Sequence, residues 1–282
     1  MPTLPYTLVD VFTDRPTFGN PLAVVHDATD IPDDLMQRFC DWTNLSEVTF
    51  LLPPTDPAAD YRVRIFSPGR ELPFAGHPTL GSAFAWLLAG GVPKGERVVQ
   101  ECGVGLVPVR RAPGGAAGPL AFAAPPLRDR GPMSEADLAR LAAFLRVPRE
   151  AVEDAAWCVN GPEWRAVLLR SAEEVLALRP DPALQDGMDV GVVGPHPAGG
   201  DVAFEVRSFF PGAQGMTEDP VTGSLNAGLA QWLIGSGRAP ERYVAAQGTA
   251  MGRAGRIFVE RADGETWIGG HSVAVARGSA TL

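Results

Sequence analysis

The sequence predicts an α+β fold of two similar lobes, each a curled, mostly antiparallel, barrel-like sheet around one central helix, and three observations carry that prediction. The first is a long repeat. Arg64-Ile65-Phe66-Ser67-Pro68-Gly69 is followed by Gly76-His77-Pro78-Thr79-Leu80-Gly81-Ser82, and Arg207-Ser208-Phe209-Phe210-Pro211-Gly212 by Glu218-Asp219-Pro220-Val221-Thr222-Gly223-Ser224. Pro211 follows Pro68 by 143 residues, Pro220 follows Pro78 by 142, and Ala166-Val167-Leu168 follows Ala23-Val24-Val25 by 143, so one residue is lost between the two blocks. A self-similarity of this length means two copies of one structural plan, with a site expected where the copies meet. The second observation is that strand-like runs outnumber helical ones. The third is one long apolar run in each half, residues 83–89 and 225–234, that only a helix buried on all sides accommodates.

Taken in order, residues 6–12 alternate as a strand, Phe18-Gly19-Asn20-Pro21 is a turn, and 22–25 is a second strand. Residues 33–42 place apolar side chains at 35, 36, 39 and 42, which is helical spacing. Strands follow at 48–52 and 61–66, then a helix opened by Pro78, two short strands within 98–109, an uninformative Pro/Gly/Ala loop at 112–118 and a strand at 120–123. Pro125-Pro126 and Gly131-Pro132 interrupt the pattern, so the lobes are read as 1–128 and 129–282, the last strand being free to cross back. Ser134 with Asp137 three residues on resembles a capping box for a helix at 135–145. The second lobe repeats the plan with strands at 156–159 and 165–169, a helix at 172–178, strands at 190–193 and 202–209, a helix opened by Pro220, and strands at 243–247, 256–260 and 266–275.

Proline is favoured at the first helical position, where its missing N–H has no partner to lose. Pro78 and Pro220 therefore mark helix starts, and His77 and Asp219 fall at matched places just before them. Unpaired N–H groups and the positive end of the dipole make such starts anion sites. The alternative is that both residues are ordinary caps, although histidine is a poor one.

Composition narrows the chemistry. With 24 basic and 33 acidic residues the net charge is −9, there is no basic run, and no nucleic-acid partner or anionic membrane surface is expected. No apolar stretch approaches the roughly 18 residues of a membrane span and no signal peptide is read at the start, so a cytoplasmic protein is expected. Cysteines at 40, 102 and 158 have no metal-type spacing, and the four histidines are too scattered to suggest a metal. Neither a dinucleotide fingerprint nor a Walker motif is present, so no cofactor is expected. Acid–base or thiol chemistry remains. Glu47 is the best base, because a carboxylate at the mouth of the apolar run 48–52 is partly desolvated, which favours its protonated form. The alternative is a solvated strand-end charge. An offset of 143 from Glu47 reaches Val190, with Asp189 one residue off, so the chain reads as one-sided, with a single base that removes and returns the proton.

Gly19-Asn20-Pro21-Leu22-Ala23-Val24, Ser46-Glu47-Val48-Thr49-Phe50, Phe74-Ala75-Gly76-His77-Pro78-Thr79-Leu80-Gly81 and Glu218-Asp219-Pro220-Val221-Thr222-Gly223-Ser224, in that order, resemble the phenazine-biosynthesis PhzF-like family over nearly the whole chain. The resemblance implies the diaminopimelate-epimerase fold, a cofactor-free isomerase of a small carboxylic acid, and a homodimer. It implies Glu47 as the proton shuttle and His77 and Asp219 as residues that bind or polarise substrate. Gly76, Gly223 and Ser224 would supply backbone or hydroxyl donors, and Asn20 and Ser46 are counted with the substrate-binding residues. Two departures stand out. Leu225-Asn226 follows Ser224 where the family more often has a small residue first, and no cysteine lies at either helix start, where thiol-dependent epimerases of that fold keep their pair. Two other readings stay open: a catalytically silent small-anion binder, and a two-base racemase or epimerase using Asp219 or Asp189 with Glu47.

Overall fold

The computed structural model describes residues 2–112, 118–128, 130–212 and 215–282. The chain forms two compact units, residues 1–123 with 269–282, and residues 124–268.

The first unit runs β1 (Thr3–Val11), β2 (Asn20–Val25), α1 (Asp33–Thr43), β3 (Val48–Leu52), β4 (Tyr61–Ser67), β5 (Arg70–Leu72), α2 (Gly76–Leu88), β6 (Val98–Cys102), β7 (Gly105–Arg111) and β8 (Leu120–Ala123). Its strands pair in the order β1-β2-β3-β4-β6-β7-β8, parallel at β2/β3 and β4/β6 and antiparallel elsewhere, with β5 folded back on β4. A parallel pair needs a crossover, and α1 and α2 are the two crossovers.

The second unit repeats this strand for strand. After α3 (Glu135–Leu145) come β9 (Asp154–Val159), β10 (Glu163–Leu168), α4 (Ala172–Ala177), β11 (Val190–Pro195), β12 (Phe204–Gly212), β13 (Gly215–Glu218), α5 (Gly223–Gly235), β14 (Arg242–Gln247) and β15 (Gly255–Ala262). The pairs β10/β11 and β12/β14 are parallel, β13 folds back on β12, and α4 and α5 are the crossovers. Even the register repeats: Val48 lies opposite Phe66 and Val190 opposite Phe209. Strand β16 (Glu265–Gly270) leads out of the second unit, and β17 (Ser272–Thr281) lies antiparallel on β1, from Thr3 opposite Thr281 to Val11 opposite Ser272. The single strand read at 266–275 is thus two, broken at His271, and the final strand joins the first unit.

Alternation along the strands decides which helix each face meets. On β3, Val48 and Phe50 enter a core with Ala23, Val25, Phe66 and the α1 residues Met36 and Cys40, while Thr49 faces α2 and its Oγ1 accepts a hydrogen bond from Ser82 Oγ at 2.9 Å. In the second unit Val190, Val192 and Phe209 pack with Val175 of α4 and Leu141 and Phe144 of α3. Helix α2 is buried from Gly76 to Ala85 and touches β1, β2, β3, β6, β8 and β17, as a central helix must. Among the described residues β17 and β8 do not pair, so the sheet around it stays open. Mixed, sheet-dominated α+β architecture with one enclosed helix per repeat is what the sequence implied. Ser134 caps α3 with its hydroxyl on the Asp137 N–H, and the Asp137 carboxylate returns to the Ser134 N–H, completing the capping box. The stretch 113–117 of the loop read at 112–118 lies outside the described residues.

The two prolines behave differently from expectation. Pro78 is the third residue of α2, still within the turn whose N–H groups lack intrahelical partners. Helix α5 begins only at Gly223, with Thr222 as its cap, so Pro220 lies outside it. His77 is therefore inside its helix, and Asp219 sits in the turn before the other. No helix among the described residues is long and apolar enough to cross a membrane.

Candidate active site

Parallel pairing of β2 with β3 brings the beginnings of both strands to one end, with Ala23 beside Val48. Asn20 opens β2 and Glu47 stands immediately before β3, after the turn that closes α1, with Ser46 preceding it. The first turn of α2 enters there. His77, 4% exposed, places Nδ1 2.9 Å from Glu47 Oε2 and Nε2 3.1 Å from the Asn20 carbonyl oxygen. Gly76 lies one residue before, and a Cβ there would stand 2.3 Å from Phe122 Cζ, so any side chain at 76 would have to displace the buried Phe122 ring.

This geometry determines where the protons are. A carbonyl oxygen only accepts, so His77 Nε2 carries a proton and gives it to Asn20. Nδ1 and Glu47 Oε2 then have one proton between them, held on the imidazole as an ion pair or on the carboxyl as a neutral pair. Glu47 keeps 19% of its side chain exposed and so can reach a ligand while staying beside its proton store. The turn is braced from below: Asp10, 1% exposed, accepts a 3.0 Å hydrogen bond from the Gly19 N–H through Oδ2.

In the second unit the buried Asp219 accepts the Thr222 hydroxyl proton at 2.6 Å through Oδ2. Gly223 and Ser224 are the first two residues of α5. Ser224 Oγ accepts from Trp164 Nε1 at 3.0 Å and its carbonyl oxygen from Asn160 Nδ2 at 2.8 Å, which leaves the Ser224 hydroxyl its own proton to donate. Asn226, two residues on, is buried, and its Nδ2 donates to the Gln247 Oε1 and the Thr222 carbonyl.

Of the predicted residues, His77, Glu47 and Asn20 form one hydrogen-bonded line, with Gly76 and Ser46 their chain neighbours. Asp219, Gly223 and Ser224 share one turn and helix start. Sequence reasoning missed Asp10, Ser208, Thr222 and Gln247, which hydrogen-bond the turns that carry the candidate residues and display no pattern of charge or spacing of their own. It also misplaced Asp189. Register makes Asp189, not Val190, the counterpart of Glu47, since each precedes the strand residue opposite Phe66 or Phe209. Its setting differs, because Asp189 accepts the Arg165 N–H through its carbonyl oxygen and lies within reach of the Arg165 charge. Thiol chemistry has no support: burial pushes Cys40 and Cys158 up to about 12 and Cys102 upward, so none is a thiolate near neutral pH.

A carboxyl before a strand and an imidazole in the first turn of a helix, sharing one proton, are the kind of groups that general acid–base chemistry uses. Comparison with known proteins agrees. The family described as "Phenazine biosynthesis-like protein" (PhzC-PhzF) matches residues 9–278. The chain is 34% identical to Antisense-enhancing sequence 1 of Schizosaccharomyces pombe, over 87% of this chain and 86% of that one. It is also 34% identical to trans-2,3-dihydro-3-hydroxyanthranilate isomerase of Pseudomonas aeruginosa, over 98% and 99%. A crystal structure of a PhzF-family protein from Enterococcus faecalis superposes with a TM-score of 0.81 at 26% identity, covering 100% of both chains. At the level of fold alone, a hydroxyproline epimerase from Agrobacterium vitis superposes with a TM-score of 0.61 at 15% identity, over 99% of this chain and 93% of that one. The chain belongs to the PhzC-PhzF family, and it is an isomerase.

Proposed function

We propose that this isomerase moves a proton between carbons of a small carboxylic acid, an amino or hydroxy acid, without a cofactor, and that Glu47 is its one base and acid. The observation that carries the reading is the line Glu47–His77–Asn20, in which a partly exposed carboxyl sits 2.9 Å from an imidazole whose other nitrogen is committed to a carbonyl. As a carboxylate, Glu47 takes a proton from one carbon and delivers a proton to a second carbon of the same molecule, its partly exposed carboxyl exchanging with solvent in between, so the enzyme ends as it began. His77 stabilises the carboxylate before abstraction and releases it as the proton arrives. Asn20, Ser46, Gly76, Asp219, Gly223 and Ser224 bind and orient the substrate, the amide and hydroxyl donors against its carboxylate or the enolate formed. We infer further that the protein works as a cytoplasmic homodimer on a small molecule rather than on nucleic acid, a reading supported by the family resemblance and the net charge of −9 and checked by sedimentation.

The named substrate of the Pseudomonas aeruginosa relative is the first compound to test, in deuterium oxide. Wild type is expected to place solvent deuterium at the migrating position. Glu47→Gln preserves shape, removes the proton carrier and is expected to cut turnover by ~10²–10⁴. Exchange at the wild-type rate in that variant ends the one-base reading. A two-base reading rests on one observation, the register match of Asp189 with Glu47; under it Asp189→Asn would stop exchange as completely as Glu47→Gln.

A further inference from the structure

Gln247, at the end of β14, is wholly buried, and its amide joins three segments: β12 through Ser208, the turn Asp219 to Thr222, and α5 through Asn226. The amide can lie only one way round. Oε1 faces two groups that must donate, the Thr222 N–H at 3.0 Å and Asn226 Nδ2 at 2.8 Å, while Nε2 faces a group that must accept, the Asp219 carbonyl, at 3.1 Å. Nε2 also points at Ser208 Oγ at 3.1 Å and Thr222 Oγ1 at 3.0 Å.

That fixed amide, with an acceptor-only Asp219 at the other end, sets the direction of the hydroxyl protons between them. An ionised Asp219 accepts only, so the single hydroxyl proton of Thr222 goes to Asp219 Oδ2, 2.6 Å away. The 2.7 Å contact between Ser208 Oγ and Thr222 Oγ1 must then be donated by Ser208. Reversing either hydroxyl bond would set two donors or two acceptors face to face among buried side chains, which is costly.

We propose that Gln247 is a positioning residue for Asp219: by orienting the Thr222 and Ser208 hydroxyls it holds the Asp219 carboxylate in one rotamer as an acceptor, and so sets how tightly substrate binds. This rests on the assignment of Asp219 to substrate binding. The protein itself pairs an acceptor-only carboxylate with an upstream relay that has no role in the proton-moving line of Glu47, so loss of Gln247 acts on binding and leaves the chemical step alone.

The test uses Gln247→Met, which keeps length and apolar volume and removes all the hydrogen bonds. In wild type, proton NMR is expected to show the Ser208 and Thr222 hydroxyl protons in slow exchange with water. In Gln247→Met both are expected to be lost. With trans-2,3-dihydro-3-hydroxyanthranilate, KM is expected to rise by about tenfold or more while kcat stays within about threefold. Thr222→Val, similar in shape, removes the hydroxyl bonded to Asp219, Ser208 and Gln247 while keeping the Thr222 N–H on Gln247 Oε1; it is expected to give the same split and covers the case in which Gln247→Met does not fold. A lowered melting temperature with KM unchanged in both variants overturns the proposal and leaves Gln247 a plain core amide. If wild type does not turn this compound over, the functional reading fails for that substrate, and the hydroxyl protons still decide: their rapid exchange in wild type, or their persistence in Gln247→Met, overturns the ordering.

Discussion

His26 holds its proton less tightly than a free histidine, because burial disfavours the charged ring; Asp27 opposes that shift and the Arg277 charge adds to it. Its Nε2 lies 3.0 Å from Thr7 Oγ1 inside the first unit. Unfolded, it titrates near 6.5, so between its lowered folded value and 6.5 the unfolded chain binds more protons and stability rises with pH. Above 6.5 this contribution is complete, and below the folded value its cost is fully present. The urea midpoint of wild type is therefore expected to fall more steeply than that of His26→Gln as pH drops below 6.5; parallel curves would show that His26 stays solvated. The residues that could be read from sequence, Glu47 and His77 among them, are those whose type is unusual for their place. Gln247 and Asp10 gave no such signal, since a polar residue at a strand end reads as solvated until the fold closes over it.

Glycine in a buried helix marks close approach to a sheet, and two glycines of α5 separate that role from simple propensity. At Gly228 a Cβ would stand 2.6 Å from Cys158 Cβ on β9, an atom fixed to the backbone that cannot swing aside. At Gly235 nothing lies within 4 Å. Gly228→Ala is expected to destabilise by about 1–3 kcal/mol through overpacking, and Gly235→Ala to be neutral or stabilising by up to about 1 kcal/mol, both read from urea unfolding. Equal effects would mean that α5 shifts freely against β9. The existence and bounds of most elements were legible, α3 and β3 to the residue, because capping and alternation are local. The start of α5 was not. A proline before an apolar run reads as a first turn, yet the Thr222 N–H and the Asp219 carbonyl are taken by Gln247 of β14, and no local pattern reports a partner on another strand.

The repeat was legible at the scale of the whole molecule because duplication leaves its mark at every level, from motif spacing to the Val48–Phe66 and Val190–Phe209 register. What one copy lacks is less visible. Strand β17 adds to the first unit a neighbour for β1 that comes from the far end of the chain, pairing Thr3 with Thr281 and burying Leu282 among Ala23, Val25, Met36 and Phe50. Backbone hydrogen bonds contribute about 0.5–1.5 kcal/mol each net. A ladder running the length of β1 is thus comparable to the roughly 5–15 kcal/mol that holds a whole domain. Deleting residues 269–282 is expected to unfold the first unit, with its NMR signals collapsing into the unfolded range, and to expose the β1 edge to association. The second unit has every strand partner of β10, β11, β12 and β14 within residues 124–268, so its signals are expected to stay dispersed. A truncated chain that keeps native shifts at Asn20, Glu47 and His77 would show that β17 is an accessory edge rather than a structural member, and the first unit would then have to be stable on the contacts of α2 alone.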